Sequence, residues 1–364
     1  MHVPICGGGV IGASIAYFLS RRRVEVTVIE CTGLACAASG KSGGFLAFDW
    51  CDGTRLEPLA RRSFALHARL AQELGDDWNY RRLTTYGGSM GLQQEGNGHA
   101  IIDWLSAGVA VNGRLGSAET TAQVHPARFT AAMMRAALAQ GSELRLGRVA
   151  GVVRHGSRVA GVAVDGETIE GDAVVIAMGP WSILATEWLP LPAVYALKGH
   201  SLVFDTGTKV PPEALFLEVR ETSGGMLSPE LFPRTDGTTY VCAISSESPL
   251  PVDPAAVSPD PGAIERLERM CQAMSPVLAS CAILARQACY RPVTRDGLPL
   301  IGQVPRVDGA YVATGHSVWG ILNAPATGEA MAELIVDGAA RSVDLRPFDP
   351  GRVPPFDPAR LRRD

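Results

Sequence analysis

The chain carries its first candidate chemistry near the N-terminus, where Gly7-x-Gly9-x-x-Gly12 follows the apolar run His2–Cys6. A second alternating run, Val24–Glu30, ends in an acid, and Cys31 follows it. Residues of these types at this spacing hold a dinucleotide. Gly7 permits a tight turn, Gly9 lets the backbone approach a pyrophosphate, and Gly12 lets a helix lie close to its strand. The helix N-terminus, with Val10 and Ile11 at its start, turns the positive end of its dipole toward the phosphates. Glu30 accepts from the ribose hydroxyls, which disfavours a 2′-phosphate. In strand–turn–helix context the motif is a strong signal, yet it does not separate FAD from NAD.

A second glycine loop separates them. Val312-Ala-Thr-Gly315-His316-Ser-Val318-Trp319-Gly320-Ile321-Leu322 lies far downstream, just before a helix. A nicotinamide enzyme has no general need of it. In a flavin enzyme, backbone N–H groups at a helix start hold the N1/C2=O edge, where negative charge builds up on reduction. FAD is therefore the expected cofactor.

These motifs, with Val174-Val-Ile-Ala177-Met-Gly179-Pro-Trp181 between them, resemble the D-amino-acid oxidase superfamily, which includes glycine oxidase and monomeric sarcosine oxidase. The resemblance covers nearly the whole chain. Ser39-Gly-Lys41-Ser42-Gly43-Gly44 resembles the family's second FAD contact, leading from pyrophosphate to the flavin ring. Val149 matches the position whose backbone holds adenine. Pro233-Arg234-x-Asp236-Gly237, followed by Tyr240, resembles a hairpin beside the substrate. Tyr290-Arg291-Pro292-Val-Thr294-Arg-Asp296 opens a run resembling R-P-x-T-x-D-x-x-P-x-I-G. The stretch Ala38–Trp50 also resembles a branch of fungal and plant oxidoreductases.

The resemblance implies that Arg291 clamps a substrate carboxylate. A planar guanidinium suits a bidentate carboxylate and would fix Cα under flavin N5. A structural pairing of Arg291 with Asp296 is the alternative. Tyr240, Trp50, Tyr195 and Trp319 are aromatic candidates for the substrate pocket. Cys289 stands near the place where monomeric sarcosine oxidases attach their flavin, but its surroundings follow the glycine oxidase pattern and it reads as a buried thiol. Lys41 is a candidate for a phosphate or flavin contact, or else a solvated lysine. Some glycine-oxidase-like members carry an Arg where this chain has Ser317-Val318-Trp319, which puts glycine itself in doubt as substrate. His316 is not needed as a base, because the flavin is the electron sink. The expected reaction is oxidation of the C–N bond of a small amine or amino acid by hydride transfer, giving an imine, with oxygen or another acceptor reoxidising the flavin. A flavin-binding protein with a regulatory or interaction role and vestigial catalysis is the alternative function.

The elements that must position these residues follow from the pattern. Strands alternate with helices over the first 80 residues, and residues 190–250 are β-rich with turns at Gly207, Gly224-Gly225 and Asp236-Gly237. The expected fold class is α/β, an FAD-binding Rossmann-like domain with a parallel sheet plus a second, mostly antiparallel β substrate domain. Residues 1–85, 126–190 and 286–364 are assigned to the first, and 86–125 and 191–285 to the second. Helices are expected over Ala13–Arg22, Leu56–Leu74, His125–Gly141, Ala263–Ser275 and Ala326–Asp337, with an extended surface tail after Arg341. The 364 residues are 46% hydrophobic with 40 Gly and 25 Pro, which bounds the chain as folded and turn-rich. A net charge of −4 without a basic block argues against a nucleic-acid partner. Residues 1–20 lack charge and precede Arg21–Arg23, but their glycines mark a strand–turn–helix and not a membrane anchor. The eight cysteines have no zinc spacing and read as reduced thiols of the cytoplasm or an organelle lumen, with an upstream targeting segment compatible with the sequence. No metal is expected, and the oligomeric state is left open.

Overall fold

His2–Cys6 is an inner strand of a six-stranded sheet, in the order Leu300–Gln303, Ala310–Thr314, Val174–Ile176, His2–Cys6, Glu25–Glu30, Glu143–Leu146. The computed structural model describes residues 1–75, 77–92, 102–221 and 224–362. All neighbours in this sheet run parallel except Leu300–Gln303, which is antiparallel to Ala310–Thr314. Val3, Ile5 and Cys6 of the first strand and all of Val174–Ile176 are apolar and buried because both faces are covered. One face meets the helices Val10–Ser20, Pro126–Leu138 and Gly320–Asp337, with Glu57–Leu74 packed outside them. The other meets a three-stranded antiparallel sheet of Val149–His155, Arg158–Val164 and Glu167–Glu170. Ile15, Tyr17 and Leu19 are almost wholly buried in the helical layer. Each such side chain contributes about 1.5–3 kcal/mol.

The second sheet runs Ile283–Val293, Tyr195–Asp205, Thr238–Ser246, Glu230–Pro233, Ala214–Arg220, Thr85–Met90, Val109–Gly116. It is antiparallel except where Thr85–Met90 pairs with Ala214–Arg220. Period-two alternation divides its faces: Leu231 and Val241 enter a core capped by the helix Ala263–Met274, while their neighbours face the other way. The strand Ile283–Val293 runs across the expected boundary at 286. Positions 93–101 of the expected second domain lie outside the described residues.

Two expectations change. The tail does not simply run extended: it forms short turns at Arg346–Phe348 and Pro350–Arg352, with Val343 and Phe348 buried in the main core. The C-terminal helix starts at Gly320, not Ala326, and contains Pro325. Pro325 has no N–H to give Ile321 O. The N–H of Ala326 donates to Ser63 Oγ at 3.0 Å, which frees Leu322 O as well. The His67 ring compensates: its Nε2–H donates to Ile321 O at 3.0 Å and Leu322 O at 3.2 Å. Burial holds this imidazole neutral, with its pKa lowered to about 4. A helix with a proline in its second turn thus keeps its first turn intact. No helix among the described residues is long and apolar enough to cross a membrane.

His67→Ala would strand two buried carbonyls and open a cavity. We expect unfolding in urea to show a loss of about 2–4 kcal/mol. Ser63→Ala, which removes one neutral acceptor, should cost about 1 kcal/mol.

Candidate functional site

Gly7, Glu30, Gly147, Ala177 and Thr314 stand at the carboxyl ends of the five parallel strands, and all of them line one cavity of about 700 Å³. An open parallel sheet binds ligands at that edge. The facing wall comes from the antiparallel sheet, through Gly199, Phe216, Glu230, Phe232, Tyr240, Cys242, Cys289 and Arg291. The volume lies within the ~300–1,000 Å³ usual for cofactor and ligand clefts.

At the first turn, Gly7 N–H donates to Ile29 O at 2.8 Å. A Cβ on Gly12 would stand 2.0 Å from Gly7 O, so the helix rests directly on the turn. That helix begins at Val10, earlier than expected, which brings its first N–H groups to the cavity. Ser39 Oγ accepts from Val10 N–H at 2.9 Å and ties the neighbouring loop to the helix start. Glu30 Oε2 accepts from Gly8 N–H at 2.8 Å, and Oε1 from Thr32 N–H at 2.9 Å. Its carboxylate therefore shapes the glycine turn and keeps lone pairs for a further donor. Arg234 Nη2 donates to Ser42 O at 3.1 Å, fixing the loop against the hairpin. A Cβ on Gly43 would meet the Phe232 ring at 2.2 Å, so only glycine lets this loop pass.

At the other end, the turn Ser317–Trp319 leads into the helix at Gly320, whose N-terminus has no side-chain cap. Its free N–H groups are unsatisfied donors. His316 Nε2 and Thr327 Oγ1 are 3.1 Å apart, and burial lowers the ring to about 3, so it stays neutral. Trp181 Nε1–H donates to Pro251 O at 2.7 Å. Arg291 Nη1 donates to Ser245 Oγ at 3.2 Å, and its guanidinium lies over Gly199, where a Cβ would be 3.5 Å from Nη2.

The cavity brings together most of the residues expected from sequence: Gly7, Gly9, Val10, Ile11, Glu30, Cys31, Ser39, Ser42, Gly43, Gly44, Val149, Ala177, Gly179, Trp181, His316, Val318, Trp319, Gly320, Ile321, Trp50, Tyr240 and Arg291. Four of the expected cofactor residues are not among those lining the cavity. Gly12 packs under the turn, the role its spacing gave it. Lys41 points its Nζ at Ala288 O, 3.3 Å away. Gly315 serves the turn, with φ +80°, and Leu322 is buried in the helical core. Tyr195, an aromatic candidate, is 53% exposed and outside the cavity. The alternative pairing of Arg291 with Asp296 is also absent: Asp296 takes Arg352, with Nε 2.8 Å from Oδ2. Sequence reasoning missed Glu230, Phe45, Phe216 and Phe232. The signal for Glu230 and Phe232 was the alternation in Glu230-Leu-Phe-Pro, which puts an acid on the same face as an aromatic.

The family described as FAD dependent oxidoreductase matches residues 2–334. The chain belongs to this family. A Schizosaccharomyces pombe protein carried under a provisional oxidoreductase name is 30% identical over 96% of this chain and 97% of its own length. Glycine oxidase of Bacillus licheniformis is 30% identical over 94% of this chain and 95% of its own. The crystal structure of glycine oxidase from Bacillus cereus superposes with a TM-score of 0.79 at 23% identity, covering 96% of this chain and 97% of that one, and shows the same fold.

FAD fits the cavity on observations independent of that kinship. Ser42 Oγ is buried on the cavity wall without a hydrogen-bond partner. Helix starts at Val10 and Gly320 both reach it, neither capped by the side chain of its own N-cap residue, and Gly9 leaves backbone bare where a phosphate would approach. Gly12→Ala forces the helix off its turn. We expect purified Gly12→Ala to retain at least about tenfold less FAD by its visible absorbance. Gly108→Ala, where a Cβ meets nothing within 4 Å, should match the parent.

Proposed function

We propose that this FAD-dependent oxidoreductase oxidises the C–N bond of a small amino acid whose carboxylate binds Arg291. The observation that carries this reading is the state of that guanidinium. No carboxylate lies within 4 Å of it among the described residues, it lines the cavity, and the bare backbone of Gly199 beneath it leaves one face open. A guanidinium in a cleft with no carboxylate in contact has room for an anion, and its fork matches a carboxylate.

FAD supplies the two-electron acceptor when bound. Glu30 and Val149 would hold its adenosine end, Gly9 and Ser42 its phosphates, and the N–H groups at Gly320 and Ile321 the flavin edge that gains negative charge. Arg291 fixes the substrate's orientation, which lowers the barrier by removing rotational freedom before reaction. Trp50, Trp319 and Tyr240 exclude water. Burial pushes the Tyr240 phenol well above its ordinary value, so it stays protonated and takes no proton. His316, neutral and held toward Thr327, has no proton-transfer duty either. The product is an imine, hydrolysed in water, with oxygen or another acceptor restoring the cofactor. Bacillus licheniformis glycine oxidase is named for the smallest amino acid. In this chain Val318 and Trp319 line the cavity, which favours a substrate with more apolar surface than glycine.

Arg291→Ala should weaken substrate binding by about 2–5 kcal/mol, seen as a raised KM. Its FAD content should equal that of the parent. Loss of FAD from the variant would assign Arg291 a structural role instead.

A further inference from the structure

Glu230 has no part in the scheme above, yet it lines the same chamber as Arg291. It sits in a cross-strand row, Phe216–Glu230–Cys242, on the cavity-facing side of the antiparallel sheet. Its one hydrogen bond among the described residues is from Cys242 Sγ, at 3.5 Å. Four rings line the cavity with it: Phe45, Trp50, Phe216 and Phe232. Phe45 lies 5.0 Å from both Trp50 and Phe216, and Phe216 lies 5.5 Å from Phe232. No ion pair within 4 Å joins Glu230 to Arg291.

A carboxylate in an apolar chamber is costly unless a donor or cation meets it. Among the described residues, its carboxylate is met within hydrogen-bond distance by a thiol alone. Aromatic walls with a carboxylate among them form a surface that attracts a cationic nitrogen. Arg291 provides the opposite charge on the same sheet face. The chamber therefore presents a positive and a negative group that make no ion pair within 4 Å of each other.

We propose that Glu230 is a specificity-determining residue that receives the cationic nitrogen of a zwitterionic substrate, while Arg291 holds the carboxylate. This rests on the carboxylate reading of Arg291 and adds the other half of the recognition. Simple carboxylates and uncharged amines are each discriminated against, because each leaves one buried charge unanswered. Binding the nitrogen as ammonium does not block its oxidation. Burial raises the proton affinity of Glu230, against the opposing pull of Arg291, and the same carboxylate can take the ammonium proton. The N–H bond breaks, its electron pair stays on nitrogen, and an O–H bond forms on Glu230.

The test uses the FAD-loaded protein and two ligands of one shape, glycine betaine and 3,3-dimethylbutanoate. They share a carboxylate and differ only in a quaternary nitrogen against a carbon. Neither has a nitrogen lone pair to lose electrons from, so both remain intact and are titrated by the shift in flavin absorbance. The parent should bind betaine at least about tenfold more tightly. Glu230→Gln, with FAD content as the folding control, should bring the two affinities within about twofold. Glu230→Met serves as a second variant. Arg291→Ala should weaken both ligands. Equal affinities in the parent, or a preference that survives in both Glu230 variants, would overturn the proposal and leave the carboxylate reading standing. If neither ligand shifts the parent's spectrum, the carboxylate reading falls and this proposal with it.

Discussion

The missing side chain of Gly12 sets the geometry on which the site depends. A carbon there would stand 2.0 Å from Gly7 O, so any other residue would lift the helix from its strand. With the helix seated, its N-terminus lies at the carboxyl edge of the sheet, beside the ends of four further parallel strands. Beside Glu30, that edge presents backbone and short side chains at Gly7, Gly9, Ala177 and Ser42. A cofactor carrying a pyrophosphate needs such a surface, because N–H groups reach it only where no Cβ intervenes.

The cavity's remaining walls are held in place by polar contacts buried behind them. His67 and Ser63 compensate for the break that Pro325 makes in the C-terminal helix, which keeps its uncapped start aimed at the cavity. Arg234 ties the loop carrying Ser42 to the hairpin that carries Phe232 and Tyr240. Lys41, whose Nζ donates to Ala288 O, adds a second tie between this loop region and the antiparallel sheet. The cavity-facing side of the antiparallel sheet mixes rings with Arg291 and Glu230.

Much of this was legible in sequence, and for a local reason. The first turn is made by residues adjacent in the chain, so its spacing encodes its geometry, and Glu30 closes the neighbouring strand. The glycine-His loop is local in the same way, although a helix containing Pro325 was expected to start after the proline. Residues acting through distant packing were harder to read. Lys41 stands beside cavity residues in sequence, yet as the last residue of the short helix Ala38–Lys41 it sends its side chain to Ala288. Glu230 is brought to Arg291 only by the order of strands in the sheet, and no spacing in the chain states that order. Asp296, close to Arg291 in sequence, pairs with Arg352 of the tail.

The central claim is that this FAD enzyme takes electrons from an amino acid held in the chamber of Arg291. It is tested most directly by titrating the purified holoprotein, without oxygen, with glycine, sarcosine, D- and L-amino acids and cyclic imino acids while recording its visible spectrum. The account predicts that at least one of these bleaches the oxidised-flavin bands, and that bleaching reverses when an electron acceptor is admitted. Intact flavin bands in the presence of every compound would contradict it, and would favour a flavin-binding protein with a regulatory or interaction role.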